Sequence, residues 1–590
     1  MASKTGNAFD FDLFKRLLKY TNPYKLTFYF VAITAILLSF FAVARPYLLQ
    51  VTIDDSITPK DNGNLIFYVS LMIGFLILEV TSQFFFIYFA NLLGQNVVRD
   101  LRVNLFKHML QFKMKYYDKS AVGRLVTRAV SDIETISSIF SQGLFMIISD
   151  LLKMIVVLGF MFYKSWQLTL LVITVLPFII YATRVFQKKM KIAFEEVRTQ
   201  VANLNTFVQE RITGMKIVQL FNREKAEYEN FKEINNKHRK AWVTTVWYNS
   251  IFFPIAEMST SITVGLIVWF GGLQAVNDNP NITLGVIIAF IELSQMLFRP
   301  LRQIADKFNT LQMGMVAANR VFGILDTDST ISDNGTKELH SIKGEIEFKN
   351  VRFSYVEEEE VLRGVNFKAN TGETVAIVGA TGAGKSTVIN LLNRFYEIDS
   401  GTILVDGIDI KDVTLKSLRS EIAVVLQNVF LFADTIMHNI KLDNPDITEE
   451  DVITAAKQIG IHDFISSLPN GYNYNVKERG AMLSSGQRQL ISFLRAYVSN
   501  PSILVLDEAT SSVDTYSEQL IQDATDKITK GRTSIVIAHR LATIKKADKI
   551  MVMDSGEIVE MGTHDELLLK DDGHYRKLYE VQFMAEEPLQ

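Results

Sequence analysis

Residues 379–387, GATGAGKST, place three glycines, a lysine and three hydroxyls in the spacing that wraps a polyphosphate. Gly379, Gly382 and Gly384 allow tight turns that aim backbone N–H groups at an anion, with Ala380, Thr381 and Ala383 between them. Lys385 reaches terminal phosphates as a point charge, and the Ser386 hydroxyl suits Mg²⁺. A second constellation lies about 120 residues on. There Pro501–Leu506 reads as an apolar strand ending in two acids, Asp507 and Glu508. Behind a complete phosphate loop, Asp507 is expected to hold Mg²⁺, directly or through water. Glu508 is then the general base on the attacking water. The chemistry implied is hydrolysis of a nucleoside triphosphate.

These residues need particular elements around them. Thr374–Gly379 reads as a buried parallel strand and Lys385–Leu392 as a helix, so the loop feeds a helix N-terminus that carries partial positive charge. Ile422–Leu426 and Thr533–Ala538 read as further strands of the same sheet. The expected fold of this half is an α/β phosphate-loop nucleotide-binding domain over 345–585.

At 590 residues the chain is too long for one domain. Its 48% hydrophobic content concentrates before about residue 315. Six apolar runs there are long enough to cross a bilayer of ~30 Å as helices. They lie near Leu26–Leu49, Leu65–Leu93, Ile139–Tyr163, Leu168–Val185, Val246–Gly271 and Thr283–Leu301. A transmembrane domain of six helices is therefore expected over 23–325, after an N-terminal interfacial helix within 1–22 whose Phe11, Phe14, Leu17 and Leu18 oppose Lys15, Arg16 and Lys19. A polar linker, 326–344, follows.

Basic residues set the orientation. Arg99, Arg102, Lys107, Lys113, Lys115, Lys119, Arg124 and Arg128 crowd the segment between the second and third spans, and the segment between the fourth and fifth is similarly basic. The outer connections carry almost none. Both termini and the phosphate loop are thus expected in the cytoplasm, with the spans in the cytoplasmic (inner) membrane. Gly94–Phe112 and Val197–Phe231 keep helical apolar spacing, so the spans should run on as helices out of the bilayer, with breaks at 117–123 and around Asn222, Arg223 and Glu224.

A net charge of −3 without a basic face argues against nucleic acid as a partner. The absence of cysteine excludes disulfides, thiol catalysis and Cys-ligated zinc. Glu257 and Glu292 fall near the middle of spans, where an unpaired charge costs ~2.5–3.5 kcal/mol on insertion scales. Two readings stand: acids of a substrate cavity that favour amphipathic cations, or acids hydrogen-bonded between helices. Asp150 and Lys153, three residues apart, are expected to neutralise each other.

With these motifs in place, the chain resembles the half-transporters of the ATP-binding-cassette exporters, the class of multidrug exporters and the lipid A flippase. The resemblance covers essentially the whole chain, and its most specific mark is 483–489, LSSGQRQ. It implies that Ser484, Ser485, Gly486 and Gln487 form a signature acting on the γ-phosphate held by the other subunit. It likewise implies that Gln427 senses Mg²⁺ and the attacking water, His539 touches the γ-phosphate and Tyr355 stacks on adenine. Thr387 would contact the α-phosphate, and Asp514 would join the two sites. ATP and Mg²⁺ are the implied cofactors. The implied partners are the lipid bilayer, a small amphipathic or lipidic substrate, and a second copy of the chain or a homologous half-transporter.

Two departures bear on that choice. Ser485 stands where a glycine is usual, and the segment before Glu478-Arg479-Gly480 lacks its usual Thr-Glu start. Both add weight to a heterodimer, although a serine costs little sterically and Gly486 is retained; the homodimer is the reading kept. A solute importer would carry its ATPase on a separate polypeptide. A DNA-repair ATPase would carry long coiled coils instead of spans. A regulatory or channel protein would not need Glu508 and His539.

Overall fold

The computed structural model describes residues 10–277, 281–331, 333–507, 515–538 and 540–582. They form two compact units, one of residues up to Leu110 with Ala121–Asp328, the other of Gln111–Ser120 with the chain from Ser329.

The first unit is helical because its sequence is apolar over long uninterrupted stretches. After α1 (Phe11–Lys19) come α2 (Lys25–Thr52) and α3 (Asn62–Leu110). In the second unit lies α4 (Met114–Lys119). The first unit resumes with α5 (Val122–Thr127), α6 (Ile133–Ser138), α7 (Phe145–Lys164), α8 (Trp166–Thr213), α9 (Met215–Leu220), α10 (Glu224–Val276) and α11 (Leu284–Leu325). Six stretches of these helices are long and apolar enough to cross a bilayer, and the chain is a multi-pass membrane protein. At 1.5 Å per residue, α3, α8 and α10 each run about 70–80 Å, far beyond the bilayer.

Three expectations need correction. The third span does not start as an α-helix at Ile139; Ile139–Leu144 is a π-helical turn, and a second one spans Arg128–Asp132. Gly314 of α11 faces the first of these so closely that a Cβ there would stand 2.1 Å from Ile139 Cγ1. Within Val197–Phe231 the helix breaks not only around Asn222, Arg223 and Glu224 but also at Gly214, before the short α9. Across that tip Arg211 Nε donates to Glu227 at 2.6 Å. Asp150 does not neutralise Lys153; it pairs with Lys307 of α11.

At one end of the bundle, Asp54 follows α2 and caps α11. Its carboxylate accepts from the Thr283 hydroxyl at 2.6 Å and from the Gly285 N–H at 2.9 Å. Helix N-termini leave N–H groups unsatisfied, and a carboxylate there also suits the helix dipole. Thr283, which completes an Asn-Ile-Thr glycosylation pattern in the sequence, itself caps Val286. The approach is close: a Cβ on Gly285 would lie 2.5 Å from the Gln50 carbonyl oxygen. We expect Gly285→Ala to cost about 1–3 kcal/mol through overpacking. Thermal unfolding of the purified protein in detergent reads this out, and an unchanged midpoint would contradict so tight a helix crossing.

In the second unit two sheets share a wall of apolar side chains. The smaller has the order β2 (Glu359–Ala369), β1 (Ile346–Val356), β4 (Ser400–Val405), β5 (Ile408–Asp409), all antiparallel. The larger has the order β10 (Glu557–Gly562), β9 (Lys549–Asp554), β3 (Thr374–Val378), β8 (Thr533–Ile537), β7 (Ile503–Asp507), β6 (Ile422–Val425). From β9 to β6 its strands are parallel. Strands buried on both faces read as continuous apolar runs, and the alternation shows why. Ala376, Val378, Leu504, Leu506 and Val536 enter one core, while Val375, Ile377, Ile503, Val505, Ile535 and Ile537 enter the other. The segment after Leu110 joins this unit through a short antiparallel ladder. Lys113 N–H donates to Ser329 and Ile331 N–H to Gln111.

Candidate nucleotide and transport sites

Parallel α/β sheets place ligands at the carboxyl ends of their strands. Here Ile377 of β3 pairs with Ile537 of β8, and Ile537 pairs with Asp507 of β7. The phosphate loop therefore opens at the level of Asp507, two strands away, and Gln427 leaves the neighbouring β6. The loop's glycines are required by its path. Gly379 has φ 149°, and a Cβ there would be 2.1 Å from the Met553 carbonyl oxygen. Gly384, at φ 100°, is the N-cap of α12 (Lys385–Leu392).

Lys385 is buried, and its Nζ donates to the carbonyls of Gly379 at 2.6 Å and Ala380 at 2.9 Å. Burial pushes its pKa down, and the Asp507 charge pushes it back up. Ser386 is exposed, as is Gln427, and Asp507 ends β7 half-buried. Hydroxyl, amide and carboxylate oxygens make the hard donor set that Mg²⁺ takes alongside phosphates and waters. Glu508, Asp514 and His539 lie outside the described residues.

Tyr355 sits on β1 against the loop's helix. Its hydroxyl donates to Thr387 Oγ1 at 3.3 Å and accepts from Asn390 Nδ2 at 3.2 Å. Its ring meets Phe353 and Tyr396 edge-on at 4.8 and 5.0 Å. Asn390 and Tyr396 belong to this cluster, and sequence reasoning missed both. The available signal was helical: Asn390 is three residues after Thr387, on the same face.

The signature helix starts at Ser485. Ser484 caps it reciprocally, accepting from Gln487 N–H at 3.2 Å while its own N–H donates to Gln487 Oε1 at 3.0 Å. An accepting hydroxyl keeps its own hydrogen to give. Ser485 takes the first helical position, where a side chain is accommodated, and Gly486 is buried. The usual glycine is thus dispensable on backbone grounds.

The two membrane acids part company. Glu257 lines a cavity of about 820 Å³ among α8, α10 and α11, with Phe186, Phe252, Phe253, Gln295 and Arg299. Phe186 and Phe252 stack at 4.0 Å. Glu292 is absent from that lining and lies 3.7 Å from Arg45 of α2, with Oε2 buried. Its neighbour Arg45 comes from α2, far away in sequence.

Comparison with known proteins places these features in context. Residues 28–301 match the ABC transporter transmembrane region, and residues 362–511 match the ABC transporter family. The chain is 37% identical over 572 residues to YknV of Bacillus subtilis, an uncharacterized ABC transporter ATP-binding protein, covering 96% of this chain and 94% of that one. It is 35% identical over 578 residues to the ATP-dependent lipid A-core flippase of Syntrophus aciditrophicus, covering 98% and 95%. YgaD of Bacillus subtilis, named for a proposed role in multidrug export, is 35% identical and covered over 99% of its length.

Proposed function

Because this chain belongs to the ABC transporters, and is an exporter half-transporter that couples ATP hydrolysis to transport, we propose that it moves amphipathic compounds outward across the cytoplasmic membrane as a homodimer. The observation that carries the substrate class is the cavity beside Glu257, whose phenylalanine walls suit apolar bodies and whose acid suits a positive end. The Lys/Arg-rich inner segments support an orientation with both ends and the ATPase in the cytoplasm. Ser485 in a helical position supports a working signature in each copy, and with it the homodimer.

In this reading the phosphate-loop N–H groups and Lys385 bind ATP. Ser484, Gly486 and Gln487 approach it from the second copy. Ser386, Gln427 and Asp507 would hold Mg²⁺, which would supply neutralisation of phosphate charge. Glu508 takes the proton of the attacking water, and His539 touches the γ-phosphate. Asp514 joins the two sites. ATP closes the cassettes and biases the spans outward only through its higher affinity for the closed state; hydrolysis removes that bias.

A second reading, lipid flipping, is favoured by Arg299 in the same wall, a cation suited to a phosphate head group. Efflux of a cationic dye from vesicles separates the two. Glu257→Gln is expected to slow it up to about tenfold, the worth of one charge contact. Parental efflux in that variant, together with lipid-stimulated ATPase, would favour flipping.

A further inference from the structure

Between α1 and α3 the first unit holds a cavity of about 650 Å³, within the range of small-molecule sites. Its lining shares no residue with that of the Glu257 cavity. The walls come from two stretches far apart in sequence. Lys19 and Tyr20 close α1 and Pro23 sits in the turn before α2, while Arg99 and Asn104 belong to α3. The charges inside are unevenly answered. Asp100, the acid of the lining, accepts from the Tyr24 hydroxyl at 2.7 Å and from Arg99 at 3.0 and 3.1 Å. The Arg99 guanidinium has further N–H groups to give. Lys19 is exposed and forms no ion pair among the described residues. Two cations and an amide donor thus stand against one acid already satisfied, a set that suits a phosphate oxygen.

The Tyr24–Asp100 bond also sets the level of the cavity. Tyr24 stands two residues before Leu26, where the first apolar run begins, so α2 and α3 turn polar together here. On the apolar side the same helix faces continue uncovered. Along α3, Val103, Arg99, Leu92, Tyr88 and Phe85 recur every three to seven residues, which is one face of a helix. Leu92, Tyr88 and Phe85 are exposed, and on α2 Leu26 is 87% exposed. Phe30 joins the two helices, edge-on to Phe85 and Phe89 with ring centroids 6.1 and 4.7 Å apart. A polar pocket therefore opens onto an apolar strip. A free phosphate would need only the pocket; a lipid would use both. The α1 wall is held independently, since Arg16 pairs bidentately with Asp326 at 2.6 Å and lies over the Phe322 ring of α11.

We propose that this cavity binds the headgroup of an anionic phospholipid, with its phosphate between Lys19 and Arg99 and its acyl chains along Leu26, Phe30, Phe85 and Leu92. Basic pockets between membrane helices recognise anionic headgroups by this combination of charge and depth.

Photolabelling of the full-length transporter tests this, in phosphatidylcholine nanodiscs carrying a trace of phosphatidylglycerol with a photoreactive acyl chain. Peptides that hold Leu26–Phe30 and Phe85–Leu92 should be labelled more heavily than those of the other spans. Unlabelled phosphatidylglycerol in the disc should compete this label away, and glycerol 3-phosphate in the buffer should not. The matching phosphatidylcholine probe should label these peptides no more than the rest. Lys19→Gln should cut the label by about tenfold, the loss of one charge-assisted bond, and Lys19→Arg should hold it. Lys15→Gln removes the same charge from α1 outside the cavity and should label as the parent does. Because Arg16 holds α1, Lys19→Gln is expected to keep the parental gel-filtration profile and the parental background label on the other spans. The proposal is overturned if label spreads evenly over the spans or if both probes label alike. It is equally overturned if Lys19→Gln labels as the parent does, if Lys15→Gln loses as much as Lys19→Gln, or if glycerol 3-phosphate competes as well as the lipid.

Discussion

Glu508→Gln is expected to lower steady-state ATP hydrolysis by at least about 10²-fold, the scale of a lost general base, while ATP still binds. The strand before it is fully buried and in register with β8, and it delivers Asp507 at the level where the phosphate loop opens. Glu508 is the next residue in sequence. An amide keeps the size and polarity of the carboxylate but cannot take a proton from water. The ATP-closed dimer should therefore accumulate and hold nucleotide through gel filtration. Phosphate release and retained ATP, measured on one preparation, decide the matter. Hydrolysis at the parental rate would remove Glu508 from the base role.

Lys385→Ala should act one step earlier, at binding. The Lys385 ammonium donates to two loop carbonyls. With ATP it would exchange them for phosphate oxygens, gaining charge-assisted bonds of about 1.5–3 kcal/mol. Losing them should weaken ATP affinity by roughly 10- to 150-fold, since each 1.4 kcal/mol is tenfold. Calorimetric titration of the purified variant reads this directly. Unchanged affinity would mean that the loop's N–H groups hold the nucleotide alone. The two variants should thus differ in kind: one binds and turns over very slowly, the other binds weakly.

What could be read before seeing the fold was whatever neighbouring residues decide among themselves. The strand Thr374–Val378 and the helix Lys385–Leu392 appear where their apolar run and glycine turn placed them. So do the six membrane helices, because twenty apolar residues have few alternatives. What escaped was settled between distant residues. The partner of Asp150 is 157 positions away, and Arg45 meets Glu292 from another helix. The three-residue neighbour Lys153 looked sufficient only because local spacing says nothing about what α11 brings. Tyr396 carries no motif at all; its ring meets Tyr355, and its hydroxyl meets Asp118, 278 residues earlier. Ser485 went the other way. Its departure from glycine adds weight to a heterodimer by comparison alone, whereas the first helical position accommodates the serine side chain.

The cap on α11 also has a history in time. Asp54 leaves the ribosome early, and its donors Thr283 and Gly285 follow 229 and 231 residues later. At about 5–20 residues per second, roughly 10–45 s separate the carboxylate from the helix it finishes. Over that interval the first hairpin waits with that acid still lacking the helix N-terminus it caps. The last segment to be inserted is therefore also the one that seals the bundle.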